Sequence, residues 1–259
     1  MTQVGLNLFS LRTLLGDEQK LLAVAQRLKE MGYTFLQFSG CPYDHEMIAR
    51  VSKESGMPVV LTHVPMKRIL EEPEKLMEEH ARFGCKNIGL GAMDTRLLLD
   101  EKSCKETIEK LNRSGEIMQK NGFKFFYHNH HFEFYKHGGE TVFEYMLKNA
   151  PAFNYTVDTY WLQYGGISIM DFLPRLAGKI ECVHLKDYRV YAPKEDDKSF
   201  AYYPSFAPVG EGTIDFKKIA PLMKELGTKY FIVEQDNACE FSDPYAQVQS
   251  SINYIKKEL

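Results

Sequence analysis

Three ionisable residues in the second half of the chain each come directly after a short apolar run. They are Asp158 in YTVDTYW, His184 in CVHLKD and Glu234 in FIVEQD. Carboxylate and imidazole groups in this combination bind divalent metals, and three ligands leave coordination positions open for a substrate. The residue types therefore predict one divalent ion, either Mn, Mg, Co or Zn, because mixed nitrogen and oxygen ligands tolerate all four.

The segment YHNHHFEF, residues 127–134, is the least ordinary part of the sequence. His128 and His130 have the same parity along an extended strand and therefore face the same side. We predict His128 as a fourth metal ligand and His130 as a catalytic proton carrier, with a surface polar cluster as the alternative. Glu133 is interpreted as a substrate contact, a partner that orders the imidazoles, or a plain loop carboxylate.

Lys186 stands two residues beyond His184 and shares its inward direction if the strand extends that far. An ammonium group beside a carbonyl can stabilise an enolate or move a proton, so Lys186 and Glu234 are predicted as catalytic with His130. A structural ion pair of Lys186 with Asp187 or Asp236 is the rival interpretation.

Substrate contacts are predicted from side chains that follow or neighbour the strand ends. Trp161 is the only tryptophan, and its ring either stacks on a sugar face or packs in the core. Glu211 lies between two glycines in VGEGTIDF, which indicates a tight turn and lacks the spacing of a nucleotide-binding loop. The remaining predicted contacts are His63, Gln37 and Asp236.

One local unit recurs along the chain: an amphipathic helix, a glycine, one or two residues and a short apolar strand. The glycines suit the left-handed residue that ends a helix. The predicted strands are Val4–Asn7, Phe35–Phe38, Val59–Thr62, Asn87–Leu90, Lys124–Tyr127, Tyr155–Val157, Cys182–Leu185 and Phe231–Val233. The predicted helices are Glu18–Met31, His45–Ser55, Pro73–Phe83, Lys102–Asn121, Thr141–Asn149, Ile169–Leu176, Phe216–Leu226 and Pro244–Lys257.

Eight strands in strict alternation with eight helices predict a single α/β domain over residues 1–259, a (β/α)8 TIM barrel. A doubly wound open sheet is the alternative, although it usually has fewer strands. In a barrel the residues that end the strands meet at the carboxyl face, where active sites lie. The irregular stretch Tyr188–Thr213 is rich in aromatic residues and proline, and we predict that it covers this face.

Composition argues against several other classes of protein. The chain has 32 basic and 35 acidic residues and a net charge of −3, without a basic run, so a duplex-binding surface is not expected. Five scattered cysteines without a CxxC motif predict no disulfide framework and fit a reducing cytoplasm. Neither a signal peptide nor a membrane span is predicted. The sequence leaves the oligomeric state open, a homo-oligomer included.

Taken in order, YHNHHFEF, VDTYWLQYGG, VHLKDY, VGEGTIDF and IVEQD resemble the sugar phosphate isomerase/epimerase family of xylose isomerase-like barrels. The resemblance covers essentially the whole chain, and the wider group includes inosose dehydratases and endonuclease IV. It implies metal ligands at Asp158, His184 and Glu234, and an acid at the position of His128. Because His128 is not a carboxylate, the chain departs from the two-carboxylate design that ketosugar epimerases resemble, and inosose dehydratases are similarly rich in histidine here.

The working hypothesis is a metal-dependent isomerase or epimerase of a small carbohydrate that removes a proton next to a carbonyl and proceeds through an enediolate. Reprotonation of the enediolate gives an isomer, whereas loss of a β-hydroxyl gives a dehydrated ketone, so a dehydratase is the alternative. A nuclease of the endonuclease IV kind and a non-catalytic sugar-binding barrel are the less favoured hypotheses, since net charge −3 and the Gln37 and Gly91 strand ends argue against the nuclease.

Overall fold

The computed structural model describes residues 3–193 and 201–259, and within them eight parallel strands form a closed barrel. The strands, numbered β1 to β8 along the chain, are Val4–Asn7, Phe35–Phe38, Val59–His63, Asn87–Leu90, Lys124–His128, Phe153–Asp158, Cys182–Leu185 and Tyr230–Val233. Strand β1 pairs with both β2 and β8, which closes the sheet. The predicted (β/α)8 barrel is therefore confirmed, and the open-sheet alternative is excluded.

Helices cover the outside of the barrel. The α-helices are Glu18–Met31, His45–Ser55, Met66–Glu71, Pro73–Arg82, Thr95–Leu99, Glu101–Lys120, Val142–Asn149, Thr159–Tyr164, Ile169–Phe172, Phe216–Glu225 and Pro244–Glu258. Short 3-10 helices span Leu8–Leu14, Phe132–Phe134, Leu173–Leu176 and Ala238–Glu240. None of these helices in the described part of the chain combines the length and the apolar character that a bilayer span needs.

The boundaries of the first helix follow from local sequence chemistry. The Asp17 carboxylate accepts a hydrogen bond from the backbone N–H of Lys20, which satisfies one free donor of the first turn. At the other end Gly32 takes a left-handed conformation with φ 102°, which a side chain would disfavour. The apolar face between these two caps buries Leu21 and Leu28 against the barrel.

Several elements differ from the prediction. Three short helices inside the loops were not predicted, namely Met66–Glu71, Thr95–Leu99 and Thr159–Tyr164. The predicted irregular stretch Tyr188–Thr213 contains an antiparallel hairpin, Asp187–Tyr191 with Tyr203–Ala207. Residues 194–200 of that stretch lie outside the described part of the chain, so the predicted cover over the carboxyl face remains a prediction.

The barrel interior below the carboxyl face is filled by apolar side chains from different strands. Phe35, Leu61, Phe126, Cys182 and Ile232 form this inner cluster. The register of β6 and β7 pairs Asp158 with His184. These strand ends therefore lie at the same height, directly above a packed floor.

Gly5 on β1 makes room for the Phe35 ring, which is part of this floor. A Cβ at Gly5 would lie 2.1 Å from the Phe35 ring and 2.7 Å from its carbonyl oxygen. We predict that Gly5→Ala lowers the free energy of unfolding by about 3 kcal/mol, because the backbone oxygen cannot rotate away. Urea unfolding followed by circular dichroism measures the change.

Gly122→Ala is the matched control, because Gly122 has φ +75° and no heavy atom lies within 4 Å of the position that a Cβ would take there. Its expected cost is about 1 kcal/mol, from the left-handed backbone alone. Equal losses of unfolding free energy in the two variants would show that contact with Phe35 is not the reason for a glycine at position 5.

Candidate active site

Four side chains from consecutive strands converge at the carboxyl face. His128 ends β5, Asp158 ends β6, His184 lies in β7, and Glu234 follows β8 directly. All four are buried, and one potential ligand atom from each lies within 4.8 Å of the others. The structure therefore brings together the four residues predicted as metal ligands.

The converging atoms are Nε2 of His128, Oδ2 of Asp158, Nδ1 of His184 and Oε2 of Glu234. His184 Nδ1 lies 2.7 Å from Glu234 Oε2, 3.1 Å from His128 Nε2 and 3.6 Å from Asp158 Oδ2. His128 Nε2 lies 3.3 Å from Asp158 Oδ2. Two imidazole nitrogens and two carboxylate oxygens at these separations fit a divalent ion such as Mn or Zn.

The opposite nitrogen of each imidazole is held by a hydrogen bond. His128 Nδ1 lies 2.8 Å from the carbonyl oxygen of Gly91, and His184 Nε2 lies 2.6 Å from Oε1 of Gln37. Both partners are acceptors, so each ring places its proton on the outer nitrogen when neutral. The inner nitrogen of each ring is then free to bind a metal.

The carboxylates are oriented in the same way. Asn7 Nδ2 donates to Glu234 Oε1 at 2.8 Å, and the backbone N–H of Trp161 donates to Asp158 Oδ1 at 3.0 Å. Glu234 Oε2 is fully shielded from solvent and lies 2.7 Å from His184 Nδ1 and 3.1 Å from Lys186 Nζ. A buried carboxylate oxygen that faces a positive charge and an imidazole nitrogen suits a place for a cation.

Lys186 is the only ammonium group that contacts this set within the described chain. Its Nζ lies 3.2 Å from Asp158 Oδ2, 3.1 Å from Glu234 Oε2 and 3.0 Å from Asp236 Oδ1. Although burial by itself lowers the pKa of Lys186, the three carboxylates raise it above its usual range. Lys186 is therefore protonated, and its partners include Asp236 but not Asp187.

The same charges act on the four converging side chains. Burial disfavours the His184 cation, but the Glu234 and Asp158 carboxylates outweigh burial and raise the pKa of His184 to about 9. Burial would also raise the pKa of Glu234, and Lys186 and His184 instead hold it well below its usual range. Both carboxylates of the set are thus ionised, which is the state that binds a metal.

A cavity of about 210 Å³ opens above these side chains. It is lined by Phe9, Ser39, His63, Gly91, Ala92, His128, His130, Lys186, Glu234 and Asp236. Sequence reasoning missed Phe9, Ser39 and Ala92; the available signal was their position one or two residues beyond a strand end. His130 Nδ1 makes no hydrogen bond within the described residues, whereas Asp236 Oδ1 is paired with Lys186 Nζ at 3.0 Å.

Trp161 lies beside this cavity instead of in the barrel core. Its ring centroid is 5.2 Å from that of His130, and the Lys186 ammonium lies 5.4 Å from its centre. Phe206, on the hairpin that follows β7, packs against Trp161 and reaches to 5.5 Å from Lys186. The aromatic side chains therefore shield the Lys186 ion pairs from water.

Glu133 lies beneath the histidine segment and is fully buried. Its Oε1 accepts from the Tyr127 hydroxyl at 2.7 Å, and its Oε2 accepts from the backbone N–H of His130 at 2.8 Å. Both oxygens are engaged, so Glu133 orders the loop that carries His130, and the interpretation as a substrate contact is corrected. Burial raises the pKa of Glu133 to about 7.

Two other residues predicted as substrate contacts do not line the cavity. Glu211 is exposed, bonds with Ser250 and pairs with Arg189 at 3.3 Å, so it does not line the cavity. Its flanking glycines instead bring their backbone N–H groups to the buried Asp187 carboxylate, at 3.0 Å each. Gln37 is fully buried with both ends of its amide engaged, which corrects its assignment to substrate.

Comparisons with known proteins agree with this geometry. Residues 17–258 match the family model described as xylose isomerase-like TIM barrel. An inosose dehydratase of Clostridium perfringens is 28% identical over 213 residues, covering 73% of this chain and 71% of the relative. An inosose dehydratase of Clostridium beijerinckii is 27% identical over 181 residues, covering 65% and 60%.

A solved sugar phosphate isomerase/epimerase from Parabacteroides distasonis superposes with a TM-score of 0.79 at 22% identity, covering 98% of this chain and 93% of that chain. At this identity the likeness shows the fold. The predicted resemblance to this group of barrels is confirmed, whereas the roles of the individual site residues stay predictions.

We predict that an excess of Mn²⁺ or Zn²⁺ stabilises the protein through the four converging side chains. A ligand at a hundredfold its dissociation constant adds about 3 kcal/mol by mass action. Asp158→Asn removes one anionic ligand and should abolish most of this gain, as measured by thermal unfolding with metal and with chelator. Asp94→Asn, at an exposed helix cap, is the control and keeps the full gain; an equal gain in Asp158→Asn would place the metal elsewhere.

We also predict a pH dependence of stability from Glu133. Between about pH 4.5 and pH 7 the unfolded chain releases the Glu133 proton while the folded chain keeps it, so stability falls as pH rises. The loss is about 3 kcal/mol at pH 8. Glu133→Gln stays neutral and should flatten this slope in urea unfolding. Glu140→Gln, on a short surface hairpin, is the control, and identical slopes in all three proteins would contradict the assignment.

Proposed function

We propose that this chain, which belongs to the xylose isomerase-like TIM barrel family, is a divalent-metal-dependent enzyme that removes a proton next to the carbonyl of a small polyhydroxylated ketone. The convergence of His128, Asp158, His184 and Glu234 in one buried cluster carries the proposal. When bound by these four side chains, a divalent ion supplies Lewis-acid stabilisation for the negative charge that develops on the substrate oxygens.

The cavity suits a single sugar or cyclitol ring. Its volume of about 210 Å³ is small, and polar groups from both halves of the barrel line it. Ser39 and His63 lie on one side, and Lys186 and Asp236 on the other. Convergent donors and acceptors of this kind recognise several hydroxyl groups at once.

His130 is the residue to which we assign proton removal. Burial lowers the pKa of His130, so the ring is neutral before reaction; the residue lines the cavity, and its Nδ1 makes no hydrogen bond within the described residues. A positioned base of this kind typically contributes on the order of 100- to 10,000-fold. Glu133 supports the assignment because it fixes the backbone N–H of His130.

Lys186 is the group to which we assign proton donation. It is protonated and lies 3.0 Å from Asp236 Oδ1, and both residues line the cavity. Glu234 is one of the four candidate metal ligands, and its Oε2 also lies 3.1 Å from the Lys186 ammonium. We assign Glu234 a catalytic role because it contacts both. An ammonium group beside the reacting oxygen also offsets the negative charge that develops there.

We favour dehydration as the outcome of this first step. His130 takes the proton from the carbon next to the carbonyl, the electron pair of that bond forms a double bond, and the bond to the β-hydroxyl breaks. The leaving oxygen takes a proton from Lys186 and departs as water, which leaves the enol of a 1,2-diketone. The curated relatives, which are inosose dehydratases, support this outcome. The family resemblance also implies an acid in epimerases at the position that His128 takes here.

Isomerisation or epimerisation is the second candidate and shares the first step. Its support is the presence of more than one proton-carrying side chain on the cavity wall, His130 and Lys186 with Asp236. Return of a proton from Lys186 to the opposite face of the same intermediate would invert the carbon. The two candidates differ only in whether the β-hydroxyl leaves.

Proton NMR in D2O distinguishes these outcomes when the metal-loaded protein is incubated with inososes, ketohexoses and ketohexose phosphates. We expect loss of a hydroxyl and a new diketone signal with one of the inososes or free ketohexoses. Deuterium next to the carbonyl with all hydroxyls retained would favour the epimerase. Neither change in any compound, with metal bound, would refute the proposal for this panel.

His130→Asn should lower the rate of exchange at least about 100-fold, because the assigned base is lost. The matched control is His45→Asn, whose imidazole lies on an outer helix near Glu79. A normal rate in His130→Asn would transfer the role of base to a carboxylate of the site.

A further inference from the structure

A chain of hydrogen bonds leads from the candidate metal centre to the cavity wall. His184 Nε2 lies 2.6 Å from Gln37 Oε1, and Gln37 Nε2 lies 3.0 Å from His63 Nε2. His63 Nδ1 in turn lies 3.3 Å from the hydroxyl oxygen of Ser39. Four side chains from three strands and one loop are thus joined end to end.

The donor and acceptor roles along this series of hydrogen bonds are set by His184, at the end next to the candidate metal centre. If His184 binds a metal through Nδ1, its ring proton must be on Nε2, which therefore donates. The atom that faces it must be an acceptor, and in Gln37 that atom is the amide oxygen. The amide nitrogen of Gln37 is consequently the atom that faces His63.

The same logic passes through the second histidine. An amide nitrogen is only a donor, so His63 Nε2 must accept and carry no proton. A neutral imidazole has one N–H, which is then on Nδ1 and donates to Ser39 Oγ. Because Ser39 Oγ already accepts this bond and meets no second protein acceptor among the described residues, its own proton is left for a ligand in the cavity.

The ring of His63 lies close to two glycines. A Cβ at Gly91 would lie 3.0 Å from His63 Nδ1, and a Cβ at Gly89 would lie 3.0 Å from its Cδ2 atom, so a side chain at either position would crowd the ring. Gln37 is itself fully buried, so water does not compete for its two partners. The glycines therefore leave space for the ring beside the buried amide.

We propose that Gln37 is a positioning residue that sets the tautomers of His184 and His63 together, and that Ser39 is thereby a hydrogen-bond donor to a substrate oxygen. The inference rests on the proposed function for its metal and substrate, whereas the tautomer of His63 does not depend on turnover. It deepens that function by adding a determinant of which hydroxyl or carbonyl oxygen the cavity accepts.

The first test reads the tautomers directly. Nitrogen-15 NMR of the histidine rings, with Zn²⁺ bound and no substrate, should show the His63 proton on Nδ1. In Gln37→Glu both carboxylate oxygens accept, so His184 keeps its tautomer while the His63 proton moves to Nε2. A wild-type proton on Nε2, or an unchanged tautomer in Gln37→Glu, would overturn the proposal.

The second test measures metal affinity by calorimetry with Zn²⁺ alone. Gln37→Met removes the acceptor for His184 and should weaken binding about 10- to 100-fold, whereas Gln37→Glu retains an acceptor and should avoid this loss. Circular dichroism establishes that each variant is folded. Equal affinity of the wild type and a folded Gln37→Met would contradict the positioning role.

The third test concerns Ser39. Ser39→Ala should raise KM about 3- to 10-fold for the substrate found in D2O, with kcat less affected, because one hydrogen bond to the ligand is lost. The His63 tautomer should be unchanged in Ser39→Ala, since Gln37 still donates to it. An unaltered KM would remove Ser39 from the substrate contacts. If no substrate is turned over, the two tests without substrate still decide the role of Gln37.

Discussion

Three carboxylates buried around one ammonium group determine much of the structure at the carboxyl face of the barrel. Asp158, Glu234 and Asp236 all lie within 3.2 Å of Lys186 Nζ. Even with His184, whose pKa these carboxylates raise to about 9, the three negative charges exceed the positive charges around them, which is an expensive arrangement in a low-dielectric interior. A divalent cation at the four converging ligand atoms would balance it, which is the electrostatic reason for regarding this cluster as a metal centre.

The closed barrel makes this concentration of charge possible. Parallel pairing sets the ends of β6 and β7 at the same height, with Asp158 opposite His184. Hydrogen bonds from the chain itself orient the potential ligand atoms, with Asn7 contributed by β1, the direct neighbour of β8, and Gln37 by β2, across the barrel from His184. Orientation by such outer partners limits the reorganisation needed when a cation binds.

Other buried acids are used for positioning. Asp187 accepts backbone N–H groups from the loop that carries Gly210 and Gly212, and Glu133 does the same for His130. The glycines of VGEGTIDF therefore serve a structural turn in which Gly212 has no room for a Cβ, since Asp187 Oδ1 would lie 2.2 Å away. Two acids that follow strand ends, Asp187 and Glu133, therefore hold loop backbones in place.

The sequence by itself predicted the barrel and the four side chains that converge at its carboxyl face. Alternating helices and strands with glycine stops predicted strands such as Phe35–Phe38 and Cys182–Leu185 with their observed bounds, because periodicity and local caps act over a few residues. Asp158, His184 and Glu234 were identifiable because each follows a strand directly, and all parallel strands of a barrel end at one face.

Only the tertiary structure decided what the remaining polar residues do. Gln37, Glu133 and Glu211 looked alike as polar groups near strand ends, yet two are buried with their hydrogen bonds satisfied and one is exposed. The only local signal of Ser39 was its position directly after a strand, because its role depends on His63, Gln37 and His184 being brought together from separate strands. Hydrogen-bond partners far apart in sequence are set by the closure of the barrel, and no local pattern encodes them.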